Sequence, residues 1–279
     1  LFPKGRVSAR QAKQLTCWSD NVLSLEVEGS FDDCQTLVKA AFADADLAAR
    51  YRFSSANSIN IGRLLPQSTY YAYAALDRFR ETGRPPGFIV PTGNLGNALA
   101  CVLARDMGLP IGDIVLATNA NRLIGDYLEG ADWLPRASLQ TLATAMDVGN
   151  PSNMERLRFL HGDREQLSAL LRVECVTDAA IEARIRHVYD AYHLAICPHT
   201  ATAFEAWERL DESDKQRPWV LVSTAHAAKF ESVVEPLIGE TIEVPPALAA
   251  ILERPSRSKT IPAKLAALDE ALQAGFDGG

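Results

Sequence analysis

The sequence predicts an α/β protein, a parallel sheet flanked by helices. Three observations carry that reading. Short apolar runs at 88–90, 114–117 and 219–222 alternate with helical segments, which is the pattern of βαβ units with helices on both faces of a sheet. An earlier pair, 22–28 and 30–42, reads as one strand followed by one helix. Between Gly87 and Ala100 the chain passes from strand to glycine turn to helix start without interruption.

Taken along the chain, Ser8 caps a predicted helix over 9–15. The strand at 22–28 alternates apolar and polar residues, and Gly29 ends it. Ser30 then caps the helix to Phe42, with Asp32 and Asp33 in its first turn, where the helix dipole favours negative charge. Phe31, Cys34, Leu37, Val38 and Ala41 fall on one face of it. Residues 53–60 are polar and irregular. A helix then runs to about Arg80, and Gly83-Arg84-Pro85-Pro86 breaks it. Beyond the break, helices are predicted at 97–107, 121–129, 152–160, 164–172, 178–192 and 201–210, with a short strand at 195–197. From Pro245 the tail reads as helical and Pro-broken. Residues 1–54 are expected to be the end of a smaller domain, and residues 55–279 a larger one. Ligands of such sheets sit at the carboxyl ends of the strands. The turns after Val90, Ala117 and Val222 are therefore expected to share one edge.

Composition narrows the function. With 279 residues and 47% hydrophobic content the chain can bury a sizeable core. A net charge of −7, from 28 basic and 35 acidic side chains, argues against a nucleic-acid binder. No apolar run approaches the roughly 18 residues of a membrane span, and no signal peptide is expected. Cys17, Cys34, Cys101, Cys175 and Cys197 are scattered without a C-x-x-C. They predict neither a metal site nor a disulfide framework, and they fit a cytoplasmic protein with reduced thiols. The opening Leu1-Phe2-Pro3-Lys4-Gly5 lacks Met and reads as the end of an internal strand, so the chain is expected to be a fragment.

The turn Pro91-Thr92-Gly93-Asn94-Leu95-Gly96-Asn97 is the candidate binding site. Glycine opens backbone angles closed to other residues and leaves no Cβ in the way. The amides of the following helix start point into the turn with the positive end of the dipole behind them, and together they make a seat for a phosphate. A strand-to-helix turn needing glycine for geometry alone is the commoner reading of a lone G-x-x-G. Asn94 and Asn97 add amide donors and favour the anion site. No Lys follows Gly96, as a Walker loop requires, and the first glycine pair of a dinucleotide fingerprint is missing. The phosphate is expected to belong to something other than ATP or NAD.

Further segments extend this signal: Phe2-Pro3-Lys4-Gly5-Arg6-Val7-Ser8, Val27-Glu28-Gly29-Ser30-Phe31-Asp32-Asp33-Cys34, Ser55-Ala56-Asn57-Ser58-Ile59-Asn60, Pro198-His199-Thr200-Ala201 and Ser223-Thr224-Ala225-His226-Ala227-Ala228-Lys229-Phe230. Each alone reads as a cap, a solvated turn or a βα junction. Together, in this order and over residues 2–230, the chain resembles the threonine synthase family. These are pyridoxal-phosphate (PLP) enzymes of the tryptophan-synthase-β-like fold, fold type II.

The resemblance implies a cofactor and a reaction. Gly93, Asn94, Leu95, Gly96 and Asn97 look like the cradle of the PLP phosphate, and Thr224 looks like the hydroxyl facing the pyridine nitrogen. The family substrate is O-phospho-L-homoserine, converted with water to L-threonine and phosphate. Lys4, Arg6, Asn57, Asn60 and Arg63 are the candidates for holding it. The cofactor is expected in a cleft between the two domains. The family's Schiff-base lysine stands upstream of the phosphate loop in a Ser/Phe-Lys-Asp setting. None of Lys4, Lys13, Lys39, Lys215, Lys229, Lys259 and Lys264 has that context, so this lysine is expected before Leu1, and the 279 residues alone are expected to be inactive. The family's His-Pro-Ala-Lys is His226-Ala227-Ala228-Lys229 here. Other readings are a different PLP-dependent phospho-amino-acid lyase, a non-catalytic binding protein of the same fold, and a nucleotide-binding α/β protein.

Overall fold

The computed structural model describes residues 1–18 and 21–276, and the chain divides into two compact units. The first comprises Leu1–Ser54, Ala228–Phe230 and the described residues from Thr241 on. It is built on a parallel sheet of three strands, β1 (Phe2–Pro3), β2 (Leu25–Glu28) and β7 (Lys259–Pro262), in the order β1-β2-β7. Leu25, Val27 and Ile261 point to one side and are buried with Leu37 and Leu268. Ser30 caps the helix Phe31–Ala43 through a reciprocal pair with Asp33. The Ser30 backbone N–H holds the Asp33 carboxyl below its usual range. Ser8 caps Ala9–Thr16 in the same way with Gln11. Its hydroxyl also donates to the Lys229 carbonyl at 2.9 Å, which ties Ala228–Phe230 to this unit.

The second unit is Ser55–Ala227 with Glu231–Glu240. Its sheet contains β3 (Gly87–Pro91), β4 (Ile114–Thr118), β5 (Leu171–Cys175) and β6 (Trp219–Leu221), all parallel, in the order β5-β4-β3-β6. Side chains alternate across a strand, and here both faces are covered. Phe88, Val90, Ile114 and Leu116 join a core with the helices Ser68–Thr82 and Gly96–Asp106. Ile89, Val115 and Ala117 pack on Ala203 and Ala206 of the helix Pro198–Glu208. Burial on both faces is why these strands read as continuous apolar runs.

Three expectations are corrected. Residues 55–279 are not one domain, because β7 pairs with β2 and carries the tail into the first unit. The helix predicted at 164–172 stops at Leu170, and the next five residues are strand β5. Residues 195–197 form no strand. The helix after them starts at Pro198, whose missing N–H suits the first helical position. Among the described residues no helix is long and apolar enough to cross a membrane.

Candidate functional site

The site lies at the carboxyl edge of the second unit's sheet. Pro91 pairs with Ala117, the Thr92 N–H donates to the Ala117 carbonyl at 3.0 Å, and the Val222 N–H donates to the Ile89 carbonyl at 3.0 Å. The turns after β3, β4 and β6 thus share one edge. From it the chain bends through residues 92–95 into the helix Gly96–Asp106. Leu95 is the N-cap, with φ 62° and ψ 8°, and no side chain caps this helix end. Its first-turn N–H groups therefore lack intrahelical partners and carry the positive end of the dipole.

Three residue types divide the work of shaping the turn. Leu95, not a glycine, takes the left-handed conformation, and it is fully buried. Gly93 and Gly96 are needed for close approach instead. A Cβ on Gly93 would stand 2.6 Å from the Met146 Cα. One on Gly96 would meet the Ser58 Cβ at 3.1 Å and the Leu64 Cδ2 at 3.2 Å. Asn94 and Asn97 brace the loop. The Asn97 amide donates to the Pro91 carbonyl at 2.8 Å and accepts from the Thr92 hydroxyl at 2.9 Å. The Asn94 amide donates to Ser58 Oγ at 3.0 Å, and its Oδ1 accepts from the Ser152 N–H at 2.7 Å and the Ser152 hydroxyl at 3.0 Å. Backbone N–H groups are what the turn leaves open for an anion.

The segment 55–60 packs on this turn through Ser58, which also accepts from Asn153 Nδ2 at 3.0 Å. Arg156 donates to the Ser58 carbonyl at 2.6 Å and to the Ile59 carbonyl. Asn60 is engaged locally. Its Oδ1 caps the short helix Ile61–Leu64 by accepting from the Gly62 N–H, and its Nδ2 donates to the Ser55 carbonyl. Asn57 is exposed, and its Nδ2 has no hydrogen-bond partner among the described residues. Arg63, Asn97, Ser223 and Thr224 line one hollow of about 520 Å³ with Tyr71 and Phe88. Among the described residues the Arg63 guanidinium makes no hydrogen bond or ion pair. Thr224 is exposed, beside Ser223, whose hydroxyl lies 3.2 Å from that of Thr200. Lys4 and Arg6 are exposed in the first unit, on the turn after β1.

Sequence reasoning missed the second shelf beneath the turn. Asn119 and Asn121 stand directly after β4, and Thr141, Met146 and Asp147 belong to the segment that packs under Gly93. The signal was present in Asn119-Ala120-Asn121, two amides at a predicted ligand edge. Burial pushes the Asp147 carboxyl up to about 6, against the hydrogen bonds of Thr141 and Asn119. Among the described residues no group of His, Cys, Asp and Glu could hold a metal ion.

Comparison with known proteins agrees with this geometry. A family profile described as pyridoxal-phosphate dependent enzyme matches residues 1–225. The chain belongs to that family. A second profile, described as threonine synthase, C-terminal, matches residues 200–272. The threonine synthase of Escherichia coli K12 is 35% identical over 96% of this chain and 62% of its own length. The crystal structure of the Escherichia coli threonine synthase superposes with a TM-score of 0.90 at 34% identity, covering 98% of this chain and 63% of that one. The PLP-bound threonine synthase of Brucella melitensis gives 0.83 at 32%, covering 98% and 64%. The chain thus spans under two thirds of the length of these relatives. An uncapped helix start, one position closed to a Cβ by neighbouring backbone, one crowded by side chains, and a neutral amide donor set fit a phosphate such as that of PLP.

Proposed function

We propose that this chain is the phosphate-loop portion of a threonine synthase, which converts O-phospho-L-homoserine and water to L-threonine and phosphate. The observation that carries the reading is the turn 92–97, an uncapped helix start opened by glycines and braced by asparagines, in a chain whose relatives over nearly its whole length are threonine synthases. PLP, when bound, supplies an electron sink for charge developing at the substrate Cα.

The chain's own residues have the following tasks. Backbone N–H groups of 93–97 would hold the cofactor phosphate. The Thr224 hydroxyl would hold the ring nitrogen and, being neutral, would leave that nitrogen unprotonated. Arg63 supplies an uncommitted cation in the same hollow as Thr224, suited to an anionic group of the substrate and to the charge of a departing phosphate. Asn57, six residues earlier, offers an amide nitrogen without a partner among the described residues. Asn60 acts through the shape of the 55–60 segment. Lys4 and Arg6 stand on the resemblance alone. All five cysteines are free, in keeping with a reducing, cytoplasmic setting.

The test is to express the complete reading frame, load it with PLP and supply O-phospho-L-homoserine. Equimolar release of phosphate and L-threonine is expected. Turnover of a different phosphorylated amino acid in a parallel panel, with none of this one, would replace the assignment by another phospho-amino-acid lyase. Binding of PLP with no turnover of any substrate would leave a binding protein.

A further inference from the structure

Under the turn 92–97 lies a buried polar cluster that no step above uses. Asn119, fully buried, donates through Nδ2 to Thr141 Oγ1 at 2.8 Å and to Asp147 Oδ1 at 2.8 Å. Its Oδ1 accepts from the Asn121 N–H and side-chain amide, both at 3.0 Å. Asp147 takes two further bonds from one residue, the Thr141 N–H on Oδ2 at 3.0 Å and the Thr141 hydroxyl on Oδ1 at 2.7 Å. Asn121 adds a longer contact at 3.3 Å. Every group facing the carboxylate is thus a neutral donor. The nearby charge that acts on it is another acid, Asp178, which accepts from the Leu142 N–H.

The cluster's place explains its composition. Asn119 follows β4, at the sheet edge level with the start of the turn. Asp147 stands between the two points where its segment touches the turn. One residue before it, the Met146 backbone lies against Gly93. Five residues after it, Ser152 holds Asn94. The Ala145 N–H is pegged in turn by Nε2 of the buried His199 at 3.0 Å. Asp147 is therefore the link between a rigid strand end and the shelf on which the turn rests. An acceptor-only group is required there. An amide in its place would aim an N–H at donors.

We propose that Asp147, with Asn119 and Thr141, positions the anion-binding turn 92–97 by fixing the segment 145–152 beneath it. The inference rests on reading that turn as a phosphate seat. Its closing experiment separates the two. Asp147→Asn, Thr141→Val and Thr141→Ser are compared with the unaltered protein in two measurements. The first is amide hydrogen exchange, without ligand, of the hydrogen-bonded N–H groups of Met146, Asp147, Val148 and Ser152. The second is affinity for pyridoxal phosphate and for pyridoxal, which lacks the phosphate. Asp147→Asn and Thr141→Val are expected to speed exchange at these amides at least tenfold while β3 and β4 change less than threefold. They should weaken pyridoxal phosphate tenfold or more and pyridoxal less than threefold, and Thr141→Ser, which keeps the hydroxyl, should behave as the unaltered protein. Exchange at these amides unchanged in both variants, or accelerated equally throughout the sheet, would overturn the proposal. Faster exchange at them with equal loss of both ligands would keep the positioning role and remove the phosphate seat.

Discussion

Replacing Gly93 by alanine tests the phosphate seat at its tightest point. The new Cβ would stand 2.6 Å from the Met146 Cα and 3.1 Å from both the carbonyl carbon and the oxygen of Met146. All three are backbone atoms and cannot rotate away. Ordinary contact begins near 3.4 Å, so the turn or its shelf must move by about 0.8 Å. Overpacking of this kind costs about 1–3 kcal/mol of stability. The same movement spoils donors that have to sit within about 0.3 Å of their best distance. One lost hydrogen bond to a charged acceptor is worth about 1.5–3 kcal/mol, so affinity for PLP should fall ten- to a hundredfold. Gly96→Ala is the internal control. Its Cβ meets side-chain atoms of Ser58 and Leu64 at 3.1 and 3.2 Å, which can yield. Equilibrium titration with PLP and urea denaturation of both variants supply the numbers. If Gly93→Ala binds as tightly as the unaltered protein, or Gly96→Ala is the more damaged, the assignment of these glycines to close approach is wrong.

Three further outcomes follow from the same structure. Thr224 is exposed, so Thr224→Val should leave the stability measured by urea denaturation within the range of surface substitutions, about ±0.5 kcal/mol, while weakening PLP roughly tenfold, the loss of one hydrogen bond. Burial raises the Asp147 carboxyl to about 6, so the folded protein binds this proton more tightly than the unfolded chain. That contribution to stability is full below the ordinary value of 3.8 and declines as pH rises through about 6. The difference in urea midpoint between the unaltered protein and Asp147→Asn should accordingly slope between about pH 4 and 6 and be flat at higher pH. Arg184 grips Glu205 through both Nε and Nη2 at 3.0 and 2.8 Å with each side chain only 15% exposed. Glu205 also accepts from Arg209 Nε at 3.0 Å, and Arg184 keeps a longer contact to Glu208 at 3.4 Å, so Glu205→Ala should cost about 2 kcal/mol, less than the roughly 3–5 of a fully buried pair, read by calorimetry, and a loss below about 0.5 kcal/mol would place this pair with ordinary surface bridges.

The sequence revealed most where local chemistry and burial agree. β3 and β4 are covered on both faces, so their apolar runs stood out, and capping pairs at Ser8/Gln11 and Ser30/Asp33 fixed two helix starts. β5 was hidden because Leu171-Arg172-Val173-Glu174-Cys175 lies at the sheet edge with only Leu171 buried, and its polar residues prolong the preceding helical pattern. β7 was hidden for a similar reason. Ile261 alone of its four residues is buried, and its partner β2 is more than two hundred residues away, a pairing no local window detects. The turn 92–97 was legible as a glycine-opened passage from strand to helix, yet the tasks within it were not. Whether an asparagine donates to a ligand or to Ser58 depends on segments that meet only in the folded chain.

Leu95 shows why the turn's composition takes this form. A left-handed residue with a Cβ costs roughly 1–2 kcal/mol, and glycine at position 95 would avoid it. The side chain is wholly buried in the core shared with Leu64, Leu99 and Met154, and burying a leucine contributes about 1.5–3 kcal/mol. Burial therefore offsets the strain, and the leucine also anchors the helix start from below. Glycine stands instead where neighbouring chain must come close, at 93 against Met146 and at 96 against Ser58. Asparagine stands where a strand end and a neighbouring segment need to be tied, at 97 and 94. With these side chains committed to support, the proposed phosphate seat is left to main-chain N–H groups. These donors are fixed in direction at the positive end of a helix dipole, the arrangement that suits a bound anion.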